Sequence, residues 1–305
     1  MAEYTQPEWS GKTGGYAIGQ KSLIWLLKVA DVRIAYAMMA LVIPFYMLFA
    51  HKSYVAIYHY FRKRHYYPML KAFAWTYKNY YRFGQVILDR FTVYAGQKRH
   101  FKVEIEGDEL FRELLHGKKG FIIASSHVGN FELNGYLMRQ NEKPINGLIF
   151  GGETKVVQKY RNSILNSNNV HLIPVKEDMS HVFLINKALT NGEIISMPSD
   201  RTFGSNKCIE CNFLGGKACF PIGAFVLAEQ FDIPIVTMFV MKESTFSYHI
   251  YTSLIKIEDK GLSKKTKIEQ MMQLFVKNLE DIIRKYPEQW FNYYEYWKSW
   301  GISCG

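Results

Sequence analysis

The sequence predicts an α/β fold: a mostly parallel central sheet flanked by helices, preceded by an apolar helical region. Three observations carry this. From about residue 101 short apolar runs alternate with longer amphipathic stretches, which is how a sheet covered on both faces reads in sequence. The first 95 residues instead carry a charge-free segment followed by a tyrosine-dense stretch. With 305 residues, 48% of them hydrophobic, the chain has enough apolar material for one large α/β domain plus an appendage. No internal repeat or low-complexity linker separates the helical region (1–95) from the α/β domain (96–305), so the two are expected to pack together.

Within the first region, residues 34–50 (IAYAMMALVIPFYMLFA) contain no charge. Such a helix barely reaches across hydrocarbon, and Pro44 would bend it. The segment starts far from Met1 and no small-residue cleavage site follows, so it is expected to be retained. Lys12, Lys21, Lys28 and Arg33 precede it, and Lys52, Arg62, Lys63 and Arg64 follow it. That symmetry gives no orientation by the positive-inside rule and suits a segment lying in one leaflet. Tyr54, Tyr58, Tyr60, Tyr66, Tyr67, Tyr77, Tyr80 and Tyr81 continue an aromatic stretch of the sort that favours a headgroup layer. A membrane-associated region is therefore expected, against the alternative of a buried helical hairpin in an ordinary core.

In the α/β region, strands are predicted at 101–107, 120–126, 145–150, 171–175, 193–199, 233–241 and 248–255. Helices are predicted near 108–117, 130–140, 153–167, 179–191, 221–231 and 264–285. Cys208, Cys211 and Cys219 fall between a strand and a helix and read as reduced thiols in a loop; no second Cys or His pair completes a zinc arrangement. The net charge of +11 favours an acidic partner, whether anionic membrane, phosphorylated substrate, acidic carrier protein or nucleic acid. Nucleic acid is disfavoured, because the lysines and arginines are dispersed and no aromatic platform or zinc module accompanies them.

One constellation bears chemistry. In SSHVGNFELNGYLM (125–138), His127 stands just past an apolar strand, where reacting groups gather in sheets of this type. Glu132 follows five residues later, about 500° around a regular helix, so a local turn is needed to bring the two together. Gly129 permits such a turn and Asn130 suits the cap of the following helix, leaving Glu132 in its first turn and able to reach back. A carboxylate on one ring nitrogen fixes the tautomer and raises the basicity of the other. A satisfied structural histidine remains the alternative on these residues alone. No G-x-S-x-G or H-E-x-x-H occurs, and S-G-K-T at 10–13 lacks the earlier glycine of a P-loop.

Residues 125–132 resemble the H-x4-[DE] motif of the lysophospholipid acyltransferase superfamily, in the branch similar to late lipid A (lauroyl/myristoyl) acyltransferases. Three further stretches agree in order: ETKVVQKYRN with Arg161; MPSDRTFG (197–204) followed by FLGGKACFPIGAFVLAE (213–229); and YPEQWFNYYEYW (286–297). The resemblance implies a membrane-associated O- or N-acyltransferase of lipid biosynthesis. It would move a fatty acyl chain from a thioester to a hydroxyl or amine of a lipid, which is a lipid A precursor or another glyco-, amino- or pigment lipid. It implies His127 as general base and Glu132 as its orienting partner. Asn130, Arg161, Asp200 and Arg201 would then be substrate-binding residues, and backbone N–H groups of Gly129 to Phe131 candidate oxyanion donors. Direct attack by the acceptor needs no acyl-enzyme, metal or bound cofactor. Acyl-acyl carrier protein or acyl-CoA is the implied donor, and acyl carrier protein, a lipid acceptor and the membrane are the implied partners. The cytoplasmic face of a bacterial inner membrane is the implied location. Locally, Arg161 also reads as a solvated helix residue and Asp200 as a turn or cap residue. Arg201 departs from the amide or histidine common at that point, while Phe220, Pro221 and Gly223 read as a structural turn into a helix. A non-catalytic membrane scaffold or lipid-binding protein of the same fold is the competing reading.

Overall fold

The computed structural model describes residues 17–97, 100–133, 135, 143–149, 155–176, 178–201, 207–258 and 261–297. Four helices lead: α1 (Ala17–Val29), α2 (Val32–Phe49), α3 (His51–Arg64) and α4 (Met69–Tyr94). Asp31 caps α2 by accepting from the Arg33 N–H, and Pro44 sits inside that helix. The α/β part then runs β1 (Lys102–Glu106), α5 (Asp108–His116), β2 (Phe121–Ser125), β3 (Ile145–Ile149), α6 (Lys155–Ser167), β4 (Val170–Pro174), α7 (Ser180–Thr190) and β5 (Ile194–Pro198). It continues with β6 (Cys208–Phe213), β7 (Gly216–Pro221), α8 (Gly223–Phe231), β8 (Ile235–Lys242), β9 (Ser247–Leu254) and α9 (Lys264–Lys285).

Seven strands form one sheet in the order β1-β9-β8-β2-β5-β3-β4. β8, β2, β5, β3 and β4 are mutually parallel, and β9 joins β8 antiparallel because the two are linked by a short connection. β1 pairs parallel to β9, so both run against the rest. The fold is therefore α/β with a mostly parallel sheet, as the alternating runs predict. β2 and β8, at the centre, are buried along their whole lengths, which is why they read as continuous apolar runs.

Successive residues of β2 feed two cores. Ile122 and Ala124 face one built with Phe225 of α8, Phe275 of α9 and Phe61 of α3, while Phe121 and Ile123 face one built with Leu88 of α4, Phe111 of α5 and Val157 of α6. All four N-terminal helices contribute to these cores, α1 through Ile24 and Leu27 and α2 through Val32, Ala35 and Tyr36.

The cysteine segment departs from expectation. Cys208 and Cys211 lie in β6 and Cys219 in β7, paired as a two-stranded hairpin whose two-residue turn is Leu214-Gly215. Both turn residues have positive φ, 48° and 71°, which matches the right-handed twist of a tight hairpin. The thiols belong to this hairpin, with Cys208 and Cys211 buried. The helix predicted at 130–140 lies mostly outside the described residues.

Candidate functional site

The site forms because two strand ends are neighbours. β2 and β5 pair in parallel with Ser125 opposite Pro198, so His127 and Asp200, each two residues further on, leave the sheet side by side. β8 lies on the other flank of β2, so the chain enters this edge from both sides, the usual place for a ligand crevice. The Asp200 carboxylate makes two bonds to His127. Oδ1 lies 2.8 Å from the ring Nδ1, and Oδ2 accepts the His127 backbone N–H at 3.0 Å. With Asp200 fully buried, the clamp fixes both main chain and ring, and assigns the Nδ1–H tautomer that leaves Nε2 as the basic nitrogen. The ring also meets Phe131 edge-on.

This differs from the expected pairing. Both Glu132 oxygens accept from Arg90 Nη1 of α4, each at 2.8 Å, while the Nδ1 position is held by Asp200. Glu132 remains near enough for its charge to favour the protonated imidazole. Asp200, expected among substrate-binding groups, hydrogen-bonds both the ring and the main chain of the histidine. The sequence separation of 73 residues conceals this, because only the strand order brings the two together.

Burial lowers the His127 pKa below the ordinary imidazole value; the Arg201 cation pushes the same way, against the opposing pull of Asp200. Burial alone would raise the Asp200 carboxyl, but the neighbouring imidazole and Arg201 outweigh it and hold the group below its usual range. The imidazole is thus kept neutral, and able to accept a proton, near pH 7.

Arg201 lies with Nε 3.9 Å from Asp200 Oδ2, donates from Nη2 to the Phe291 carbonyl at 2.6 Å, and covers the Tyr294 ring at 5.5 Å. Arg161 is buried on α6, the helix that follows β3, with Nε 3.4 Å from Asn162 Oδ1. Asn130 is buried in the turn after His127. Its backbone N–H donates to the Val240 carbonyl at 2.7 Å, and the Gly129 N–H donates to the Gln289 carbonyl at 2.8 Å. Two of the three expected oxyanion donors are therefore already engaged within the protein. Gly129 has φ 58°, and a β-carbon there would stand 2.1 Å from the Val240 carbonyl oxygen, so glycine is required for the turn to lie against β8.

The closing run YPEQWFNYYEYW supplies residues that motif reading leaves without a role. Trp290 is fully buried and bridges to Val128 as an isolated antiparallel pair. The Phe291 N–H donates to the His127 carbonyl at 3.2 Å, and the Tyr296 hydroxyl donates to the Asp200 carbonyl at 2.6 Å. From α4, Asn79 Nδ2 donates to the carbonyls of Glu288 at 3.1 Å and Trp290 at 2.9 Å. The resemblance of the run to a family stretch marks it in the sequence; its closure over the site follows from these bonds.

No curated protein matches the chain. The family model described as bacterial lipid A biosynthesis acyltransferase matches residues 75–299, from within α4 through the closing aromatic run. That span holds His127, Glu132, Arg161, Asp200 and Arg201 and covers well over half of the protein, which therefore belongs to the bacterial lipid A biosynthesis acyltransferase family.

Proposed function

We propose that the protein transfers a fatty acyl chain from an acyl thioester to a hydroxyl or amine of a membrane lipid, with His127 as general base and Asp200 as the residue that orients it. The observation that carries this is the double clamp of Asp200 on His127, which aligns the ring and leaves Nε2 as the basic nitrogen. The acceptor O–H or N–H gives its proton to Nε2 as the oxygen or nitrogen attacks the thioester carbonyl. The tetrahedral intermediate then expels the thiolate, which takes the proton from the imidazolium and leaves as the thiol. Atoms balance without an acyl-enzyme. Asp200 stabilises the imidazolium formed on the way, and Glu132, fixed by Arg90, adds negative charge nearby.

Arg161 and Arg201 supply positive charge for an anionic acceptor or for the phosphates of an acyl carrier protein or coenzyme A donor. The acceptor is a lipid A precursor or a related glyco- or amino-lipid. Membrane attachment is supported by α2, the one helix among the described residues long and apolar enough to cross a bilayer, with Leu41, Leu48 and Phe49 at least 74% exposed. Its 18 residues span about 27 Å, comparable to a hydrocarbon core of about 30 Å. The cytoplasmic side of a bacterial inner membrane is the location proposed on the family match, with α2 supplying the apolar contact.

The test is incubation of the purified protein with labelled acyl carrier thioesters and vesicles of a bacterial lipid extract, followed by mass spectrometry. A new acylated lipid is expected with wild type, and a rate lower by about 10²–10⁴ with His127→Ala. Equal product from both proteins would remove the imidazole from the chemistry, and no product from either would favour a non-catalytic lipid-binding scaffold.

A further inference from the structure

A second polar cluster is buried behind the imidazole site. Lys242, the last residue of β8, places Nζ 2.5 Å from Asp89 Oδ2 of α4, and both side chains are fully buried. Lys242 Nζ also donates to the Thr245 carbonyl at 3.0 Å. The Tyr36 hydroxyl of α2 donates to Asp89 Oδ1, and the Tyr248 hydroxyl of β9 donates to Oδ2. Asn130 Nδ2 in turn donates to the Tyr248 oxygen at 3.2 Å. A continuous path of hydrogen bonds thus runs from α2 through Asp89 and Tyr248 to the turn three residues beyond His127.

A buried ion pair adds little net stability over an apolar pair of the same volume, while losing one partner is costly. What this cluster supplies is fixed geometry between α2, α4 and the paired strands β8 and β9, where Lys242 stands opposite Tyr248. Tyr36 lies on the buried stripe of α2 with Val32 and Ala35, and the opposite side of that helix exposes Ile34, Met38, Leu41 and Phe45. The helix with the exposed apolar face and the turn bearing the imidazole therefore share one hydrogen-bonded carboxylate.

We propose that Asp89 is a positioning residue through which the seating of α2, by way of Tyr36, fixes the His127 turn by way of Tyr248 and Asn130. The consequence for turnover rests on the acyltransferase reading above; the coupling of helix and turn does not. Loosening α2 from Asp89 loosens the turn and misaligns the imidazole without removing any group that meets substrate.

The test uses the full chain in lipid vesicles with Tyr36→Phe, Asn130→Ala and the double variant. Both substitutions leave the Asp89–Lys242 pair intact, so the fold is retained. Hydrogen–deuterium exchange is read on the peptide spanning 127–133, whose Gly129 and Asn130 amides are hydrogen-bonded. Exchange is expected to quicken by about tenfold in Tyr36→Phe. Acyl transfer should show kcat lower by about 3- to 10-fold at unchanged donor KM. The double variant should be no worse than Asn130→Ala alone, since both act on one path. Unchanged exchange in Tyr36→Phe, or losses that multiply in the double variant, would overturn the proposal. Quickened exchange in a protein whose wild type makes no acylated lipid would uphold the coupling and defeat the acyltransferase reading instead.

Discussion

The imidazole of His127 is poised by neighbours from three parts of the chain, and each leaves a separate signature. Arg201 disfavours the imidazolium, so Arg201→Gln should move the acid limb of kcat/KM to higher pH, toward the ordinary imidazole value, whereas Arg201→Lys should leave it nearly in place. The sign follows from the charge: removing a nearby cation makes protonation easier, so a higher pH is needed to free the base. A limb that moves to lower pH in Arg201→Gln would contradict this electrostatic assignment. Gly129 is tested differently. Gly129→Ala places a side chain in the left-handed region, at a cost of about 1–2 kcal/mol, and against the Val240 carbonyl. Lower stability in chemical denaturation and a collapse of activity are expected, and wild-type values for both would refute the account of the turn. At this scale the sequence was partly legible. The strand-end position marked His127 and Asp200 one by one, but their pairing depends on β2 lying next to β5, which no local pattern encodes.

Among the elements, the strands of the main sheet and the flanking helices other than that predicted at 130–140 were readable because their apolar periods are unbroken: α9, predicted at 264–285, is found at Lys264–Lys285. The β6–β7 hairpin was not. Its turn places Leu214 rather than asparagine or aspartate in the left-handed conformation, and β6 begins Cys-Ile-Glu-Cys, an imperfect alternation. α3 carries a different lesson. His65, at its C-terminal cap, packs among Tyr60, Phe61 and Tyr67 with no hydrogen bond to Nε2. Burial lowers its pKa to about 4, so the unfolded chain binds a proton that the folded one refuses between that value and about 6.5. Stability should therefore decline as pH falls through this window and level off below it. His65→Phe should flatten that part of the stability profile in denaturant titrations, and an unchanged slope would count against the assignment.

Over the whole molecule, α4 joins the apolar N-terminal region to the chemistry. It packs on α2 and α3, holds the closing segment through Asn79, supplies Asp89 to the buried cluster, and fixes Glu132 through Arg90. The exposed apolar residues of α2 and the start of α4, including Leu41, Phe45, Leu48, Leu70 and Phe73, demand cover. Replacing Leu41, Phe45 and Leu48 together by serine should weaken binding to anionic vesicles by at least about tenfold in flotation assays while leaving the far-ultraviolet dichroism unchanged. Undiminished binding would place the membrane contact elsewhere. The apolar run at 34–50 announced this surface, whereas the buried polar links of α4 were invisible, because Asp89 and Arg90 look like any charged pair on an amphipathic helix.

The most direct measurement is single-turnover acyl transfer with Asp200→Asn set beside Glu132→Gln. An asparagine keeps the shape but no longer holds the Nδ1–H tautomer, so Asp200→Asn should slow the reaction by about 10²–10⁴, with Glu132→Gln the milder of the two. A near-wild-type rate for Asp200→Asn beside an inactive Glu132→Gln would contradict the account and return the orienting role to Glu132.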